Sequence, residues 1–215
     1  MEFDEARRKI DETLAKRAPR TLELPNFRRA AVLVPVLARP EGPTVLFTQR
    51  TDTVKDHPGQ VSFPGGRFEA GEDARAAALR ETHEEVGIEP ALVQPVATLD
   101  DQISVSNFVV TPIVGLVTNP PATFVHQESE VLEPFEVALE RLRDPRFFRV
   151  ERWKVENMPP FAPVAEILKQ RGFLDEFDEK TQTYPVYFYD GGPGRNIWGL
   201  TARILKDLLD LAFPP

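Results

Sequence analysis

Apolar positions recur at helical spacing near both ends of the chain. An N-terminal stripe predicts a surface helix over residues 2–17, and a C-terminal stripe predicts a helix over residues 197–212. A third helix is predicted over residues 72–86, because Gly87 is a favourable residue just past a helix end. The N-terminal stripe consists of Phe3, Ala6, Ile10 and Leu14, and the C-terminal stripe of Ile197, Thr201, Ile204, Leu205, Leu208 and Leu211.

Apolar runs between these helices predict strands. Residues 29–38 form a buried run in which Pro35 favours an edge position or a bulge, and a Pro-Glu-Gly-Pro turn connects it to a strand at 44–48 as a hairpin. Residues 133–142 predict a helix. Further strands are predicted at 93–99, 106–118, 147–155 and 184–189. Because strands and helices do not alternate regularly, the order favours an α+β fold with a sheet between helices.

The length of 215 residues suits one domain with decorations. We expect a single domain over 1–215, in which residues 1–27 form an N-terminal helical extension. Residues 157–182 interrupt a predicted hairpin and therefore indicate an insertion. The apolar residues of this insertion favour a lid or a homodimer contact, and the alternative is a loop that covers only its own core.

Composition and charge exclude several classes of function. With 34 acidic and 26 basic residues the net charge is −8, which argues against binding the backbone of a nucleic acid. The absence of cysteine excludes disulfides, thiolate metal sites and cysteine nucleophiles. No stretch approaches the ~20 apolar residues of a membrane span, and the N-terminus is charged. We therefore expect no membrane partner and a cytoplasmic location.

Three carboxylates are crowded onto one side of the predicted central helix. Glu81, Glu84 and Glu85 are three and four residues apart, so they share a face and repel one another by roughly a few tenths of a kcal/mol per pair. A divalent cation bound between the carboxylates would turn this repulsion into a net attraction. Oxygen ligands favour Mg²⁺ or Mn²⁺. The alternative is a solvated charged helix with some Glu–Arg pairing.

Residues flanking the carboxylates support the metal hypothesis. The turn at Gly65-Gly66 lets the backbone approach a ligand closely, so the Gly66 carbonyl could join the metal shell. Arg80 is expected to point away from the neighbouring glutamates and to pair with Glu72, which would fix the loop against the helix.

Residues 66–88 resemble the Nudix box, which has a Gly, a Glu six residues later and an Arg-Glu-x-x-Glu-Glu-x-Gly core. Thr82 departs from this pattern, since the family favours a bulky aliphatic residue there. The matching residues are Gly66, Glu72, Arg80, Glu81, Glu84, Glu85, Gly87 and Ile88. The resemblance implies an α/β/α sandwich with a mixed central sheet, here with extra N-terminal and C-terminal helices.

The same resemblance implies metal-dependent hydrolysis of a diphosphate linkage. It assigns Arg80, Glu81, Glu84 and Glu85 to catalysis, and it makes Glu81, Glu84, Glu85 and the Gly66 carbonyl the metal ligands. A carboxylate from a later loop would accept the proton from water. Glu130 is the candidate for this role, with Glu128 and Glu133 as rivals.

A narrower pattern upstream is similar to the coenzyme A pyrophosphatase branch of that family. It consists of Leu46-Phe47-Thr48-Gln49-Arg50-Thr51, Lys55, His57, Gly59-Gln60 and Phe63-Pro64-Gly65-Gly66. Phe47, Thr51 and Lys55 depart from the pattern. The resemblance implies cleavage of coenzyme A or a derivative to 4′-phosphopantetheine, or its acyl form, and adenosine 3′,5′-bisphosphate. The expected substrate-binding residues are Arg50, Lys55, His57 and Arg67.

Two alternatives stay open. The first is a Nudix hydrolase that acts on another nucleoside diphosphate derivative, such as NADH or ADP-ribose. The second is a Nudix-like module that senses a nucleotide without cleaving it. The presence of all three glutamates at 81, 84 and 85 argues against the sensor.

Overall fold

The computed structural model describes residues 1–52, 59–104, 106–154 and 176–214. The helices in these ranges are α1 (Phe3–Thr13), α2 (Ala74–Val86), α3 (Leu139–Arg143) and α4 (Gly199–Ala212). The strands are β1 (Arg28–Leu37), β2 (Thr44–Arg50), β3 (Val61–Ser62), β4 (Gly65–Arg67), β5 (Gln94–Thr98), β6 (Gln102–Ile103), β7 (Phe108–Val117), β8 (Val131–Ala138), β9 (Phe148–Lys154), β10 (Thr183–Asp190) and β11 (Asn196–Trp198). Within the described ranges, no helix is both long and apolar enough to cross a membrane.

Strand β1 lies at the centre of a mixed eight-stranded sheet. It runs parallel to β7 along its whole length, while on its other side it pairs antiparallel with β4 and then with β2. Strand β2 also pairs with β8 and β3, and β7 also pairs with β5 and β6. The predicted β1–β2 hairpin is confirmed by the pairing of Val36 with Val45.

Pro35 does not mark an edge strand, so the edge alternative of that prediction is wrong. It lies inside β1, opposite Gly115 of β7, at the point where the other neighbour of β1 changes. Ala30 to Val32 pair with β4, whereas Val36 and Leu37 pair with β2. A proline has no N–H to donate, and a change of partner is a position where a central strand tolerates that loss.

The two faces of the sheet are covered by different helices. Alternate residues of β1 point to opposite faces. Ala31 and Leu33 pack with the buried side of α2, whereas Val34 and Val36 belong to the core that includes α1 and α4. The expected α+β sandwich with a mixed sheet and helices on both sides is therefore confirmed.

The helix predicted over residues 133–142 is wrong in its first half. Residues 131–138 form strand β8, which pairs with β2 from Arg50↔Val131 to Thr44↔Ala138. Phe135 and Val137 are buried against this neighbour, so tertiary packing determines the conformation. The helix begins only at Leu139.

A small antiparallel sheet confirms the hairpin that the insertion interrupts. Strands β9 and β10 pair from Lys154↔Thr183 to Phe148↔Tyr189, and β11 adds to the other side of β10. Residues 155–175 lie outside the described residues, and the lid or dimer role predicted for 157–182 stays a prediction. The single-domain boundaries stay a prediction as well.

Two buried carboxylates fasten the N-terminal extension to the sheet. Asp101 is 1% exposed and accepts hydrogen bonds from the Leu22 N–H at 2.8 Å, from Arg29 at 3.1 Å and from the Thr111 hydroxyl at 2.6 Å. Asp100 accepts from Arg20. A buried charge is tolerated when its oxygens are hydrogen-bonded in this way, and breaking such a network is destabilising.

Replacing Asp101 with Asn should therefore lower the free energy of unfolding by about 2–3 kcal/mol, since it removes a buried charge that three donors face. Urea unfolding measures this change. Asp11→Asn is the matched control, because Asp11 forms an exposed pair with Arg7 at 3.8 Å and should contribute less than about 0.5 kcal/mol. Equal small effects of both substitutions would contradict the role of Asp101 in fastening the N-terminal extension to the sheet.

Candidate active site

Helix α2 is held at both ends by specific caps. The Asp73 side chain accepts from the Ala76 N–H at 2.8 Å, and Gly87 ends the helix with a left-handed φ of 72°. A Cβ on Gly87 would lie 2.7 Å from the Val125 carbonyl oxygen. Thr82, the departure from the family pattern, is fully buried and donates its hydroxyl to the Ala78 carbonyl at 2.7 Å. Its polar atom is therefore satisfied inside the core.

Strand β4 approaches its neighbours too closely for side chains at two successive positions. A Cβ on Gly65, which has a φ of 154°, would lie 2.3 Å from the Ala31 carbonyl oxygen. A Cβ on Gly66 would lie 2.4 Å from the Glu81 carboxyl carbon. The two glycines therefore let the Glu81 carboxylate lie directly against the strand.

The three glutamates of α2 share one side of the helix but differ in depth. Glu85 is 4% exposed and accepts a hydrogen bond from the Gly65 N–H at 3.1 Å. Burial raises the pKa of Glu85 to about 8, and burial also raises the pKa of Glu81. The Glu84 side chain is 50% exposed. We call Glu81, Glu84 and Glu85 the carboxylate row. Burial of Glu81 and Glu85 therefore disfavours their negatively charged form unless a cation is present.

Arg80 neutralises several carboxylates at once. Its guanidinium binds Glu72 through two hydrogen bonds of 2.7 and 3.0 Å, as the sequence predicted. It also reaches Glu81 and Glu84 at 3.1 Å each, so the expectation that it points away from them is wrong. The long side chain spans one helical turn, which brings the i+1 and i+4 glutamates within reach. Hydrogen bonding to Arg80 lowers the pKa of Glu72.

The donor chemistry of this helix fits a divalent cation. In the described part of the chain, no group of three His, Cys, Asp or Glu residues is gathered closely enough to hold a metal ion together. Glu81 and Glu84 instead contact Arg80, while Glu85 contacts the backbone of β4. Carboxylate oxygens with a buried, charge-disfavouring member suit a hard cation. The ligand roles of these glutamates and of the Gly66 carbonyl stay predictions.

Glu130 is brought to the carboxylate helix by a loop. Its charge acts on both Glu81 and Glu85, adding to the pKa increase that burial causes. The loop is fixed by the Gln127 N–H, which donates to the Glu85 carbonyl at 3.2 Å, and by the Glu130 carbonyl, which accepts from the Thr51 N–H at 3.0 Å.

The two rivals of Glu130 are placed differently. Glu133 is engaged by Arg195 at 3.0 Å. Glu128 is exposed, and the largest influences on the pKa of Glu81 and Glu85 include Glu130 but not Glu128. The geometry therefore favours Glu130 over both.

Two of the expected substrate-binding residues border the carboxylates. Arg50 ends β2, and its charge acts to lower the pKa of Glu85 against the larger effect of burial. The Arg50 Nε atom is buried and has no hydrogen-bond partner within the described residues. Arg67 ends β4, and its carbonyl accepts from Arg80 at 3.0 Å. Lys55 and His57 lie outside the described residues.

The loop that packs against the C-terminal end of α2 was not predicted from the sequence. Val125 and Gln127 contact this end through backbone atoms. Backbone contacts carry no side-chain signature, so nothing in the residue types at these positions could have revealed them. Gly87 is the local sign of this contact, because the loop approaches it closely. In the sequence, Gly87 was interpreted only as the end of the helix.

The sequence pattern of the NUDIX domain matches residues 27–171, which is more than half of the chain. The chain belongs to the Nudix family. Relatives include the Uncharacterized Nudix hydrolase NudL of Enterobacter sp. (strain 638), 37% identical over 188 residues that span 85% of this chain and 82% of that protein. The protein of the same name from Salmonella paratyphi B (strain ATCC BAA-1250 / SPB7) is 34% identical over 212 residues, 96% of each chain.

This Nudix domain therefore belongs among hydrolases of nucleoside diphosphate derivatives, which generally use divalent metal ions. Among solved structures, the C. elegans Ap4A hydrolase binary complex is 22% identical, with a TM-score of 0.44, over 69% of this chain and 99% of that one. A likeness at this level carries no argument about substrate.

Gly66→Ala should lower metal-dependent turnover by about 100-fold, because the new methyl group displaces the Glu81 carboxylate from its place against β4. The free energy of unfolding should change by less than about 1 kcal/mol, since the flexible end of a side chain can move aside. Steady-state kinetics and urea unfolding provide the two measurements.

Gly192→Ala is the control, and it should affect stability rather than turnover. Gly192 has a φ of 115° and no atom within 4 Å of an added Cβ, so that variant should lose stability and retain turnover. Normal turnover by Gly66→Ala would refute the importance of this contact.

Proposed function

We propose that this Nudix domain hydrolyses the diphosphate linkage of coenzyme A or a derivative with Mg²⁺ or Mn²⁺. The products would be 4′-phosphopantetheine, or its acyl form, and adenosine 3′,5′-bisphosphate. The observation that carries the proposal is the contact of Glu81 and Glu85 with Gly66 and Gly65 of strand β4, the two glycines that end the upstream segment 46–66 similar to the coenzyme A pyrophosphatase branch. The charge of Arg50 in that segment acts to lower the pKa of Glu85.

Different glutamates would bind the cation and accept the proton of the attacking water. Glu81, Glu84 and Glu85 would hold the cation, which neutralises the diphosphate and lowers the barrier to attack by water. The oxygen of the water forms a bond to phosphorus as the bridging P–O bond breaks, and the bridging oxygen leaves with the other phosphate. Glu130 is the candidate to accept the proton of the water, because it lies near the carboxylate row and is exposed to solvent.

Positive groups at the edge of the row would bind the phosphates. Arg50 offers a buried Nε without a partner among the described residues, and a phosphate oxygen is a fitting acceptor for it. Arg80 would hold Glu72 and the β4 backbone, so that the carboxylates keep their positions. Arg67, Lys55 and His57 stay predicted substrate contacts.

Several properties of the assembled protein are also proposals. We propose a cytoplasmic location and no nucleic-acid or membrane partner, while a homodimer stays a prediction and the insertion keeps its alternatives of lid, dimer contact or covering loop. The net charge of −8 supports the exclusion of nucleic acid.

A substrate panel tests the proposed function. The full chain with Mg²⁺ or Mn²⁺ is given coenzyme A, NADH and ADP-ribose, and the products are identified by mass spectrometry. We expect kcat/KM for coenzyme A to exceed that for the others by about tenfold or more. Glu85→Gln should lower kcat by about 100-fold or more, because it removes a charged ligand.

Other outcomes would point to the alternatives. Faster turnover of ADP-ribose or NADH would replace the substrate assignment while retaining the hydrolase. Tight binding of coenzyme A without any product would favour a nucleotide sensor.

A further inference from the structure

Two arginines from neighbouring strands meet on one phenylalanine ring, on the face of the sheet opposite helix α2. The Arg28 guanidinium lies 4.1 Å from the centre of the Phe108 ring, and the Arg67 guanidinium lies 5.2 Å from it. The pairings Arg28↔Phe108 and Ala30↔Arg67 place all three side chains on the same face of the sheet. We call Arg28, Arg67 and Phe108 the arginine pair site.

Among the described residues, no acid forms an ion pair with the positive charges of this site, Arg28 and Arg67. By contrast Arg80 and Arg195 each bind a glutamate. A ring contact at an exposed site offers each guanidinium only about 0.5–1 kcal/mol. Two like charges held on one ring therefore favour binding of an anion.

The backbone around both arginines is fixed before any ligand binds. The Arg28 N–H donates to the Asn107 carbonyl at 3.0 Å, and the Phe108 N–H donates to the Ser104 hydroxyl at 3.2 Å. The Arg67 carbonyl accepts from Arg80 at 3.0 Å. Because Arg80 belongs to the carboxylate helix, the arginine pair site is coupled in position to the predicted metal ligands.

The position of Arg67 in β4 determines what kind of ligand could contact both the arginine pair site and the carboxylates at Gly66. Gly66 faces α2 and the Glu81 carboxylate, whereas the next residue, Arg67, points to the opposite face. A substrate with its diphosphate at Gly66 would therefore have to extend around β4 to bring a second anionic group to Arg67.

We propose that the arginine pair site binds a phosphate monoester of the substrate, separate from the diphosphate that is cleaved. A phosphate monoester carries a charge of about −1.5 to −2 at pH 7, which matches two guanidinium groups. The location of the diphosphate rests on the proposed function, but the anion preference rests on Arg28, Arg67 and Phe108 alone. The substrate class is a nucleoside diphosphate derivative that bears an additional phosphate.

Equilibrium binding to the full chain tests this proposal without requiring turnover. Adenosine 3′,5′-bisphosphate and adenosine 5′-monophosphate are titrated calorimetrically into the wild type, Arg28→Gln, Arg67→Gln and the double variant. We expect the wild type to bind the bisphosphate at least about tenfold more tightly. Each substitution should weaken bisphosphate binding by about tenfold and change monophosphate binding by less than about twofold.

Arg143→Gln is the matched control, because Arg143 is another exposed arginine over a phenylalanine ring, 5.7 Å from the centre of Phe213. It should leave both affinities unchanged, and circular dichroism checks that every variant is folded. Unchanged bisphosphate affinity in Arg28→Gln and Arg67→Gln would overturn the proposal, as would equal weakening of both ligands. If coenzyme A is not hydrolysed but the bisphosphate preference follows the two arginines, the proposed function fails and the arginine pair site stands.

Discussion

Strand β4 has no room for side chains at two successive positions, because Gly65 lies against β1 and Gly66 lies against Glu81 of helix α2. The Glu81 carboxylate occupies the space that a Cβ on Gly66 would need, and Glu85 accepts from the Gly65 N–H. This close contact buries acidic groups that would otherwise be solvated. It therefore accounts for the raised pKa of Glu85, for the need for nearby positive charge and for the fit of a hard cation.

Charge balance in the described structure depends on Arg80. One guanidinium contacts Glu72, Glu81 and Glu84 and also holds the Arg67 carbonyl. The carboxylates are thus paired with arginine rather than gathered around a common point. Binding of a divalent cation would compete with these pairs, so metal affinity should depend on how tightly Glu72 retains Arg80.

Much of this arrangement could be predicted from the sequence. The spacing of Glu81, Glu84 and Glu85 placed them on one face of a helix, and the Glu72–Arg80 pair followed from its position between loop and helix. Their different depths could not be predicted, because burial depends on how far α2 sinks against β4. The approach of Glu130 depends on a loop held by backbone hydrogen bonds, which residue types do not encode.

The two incorrect predictions of local structure have a common physical origin. Residues 133–138 form β8 rather than the predicted helix, because β2 offers them a complete set of strand partners. Pro35 is compatible with a central strand because the neighbour of β1 changes beside it. In both cases long-range pairing overrides a local preference.

Binding of Mn²⁺ to the full chain, followed by electron paramagnetic resonance, tests the central claim most directly. The account predicts that the wild type binds Mn²⁺ and that Glu81→Gln and Glu85→Gln each weaken binding by about tenfold or more. Glu140→Gln, an exposed change on α3, should bind like the wild type. Equal Mn²⁺ affinity in all four proteins would contradict the assignment of the carboxylate row as the metal site.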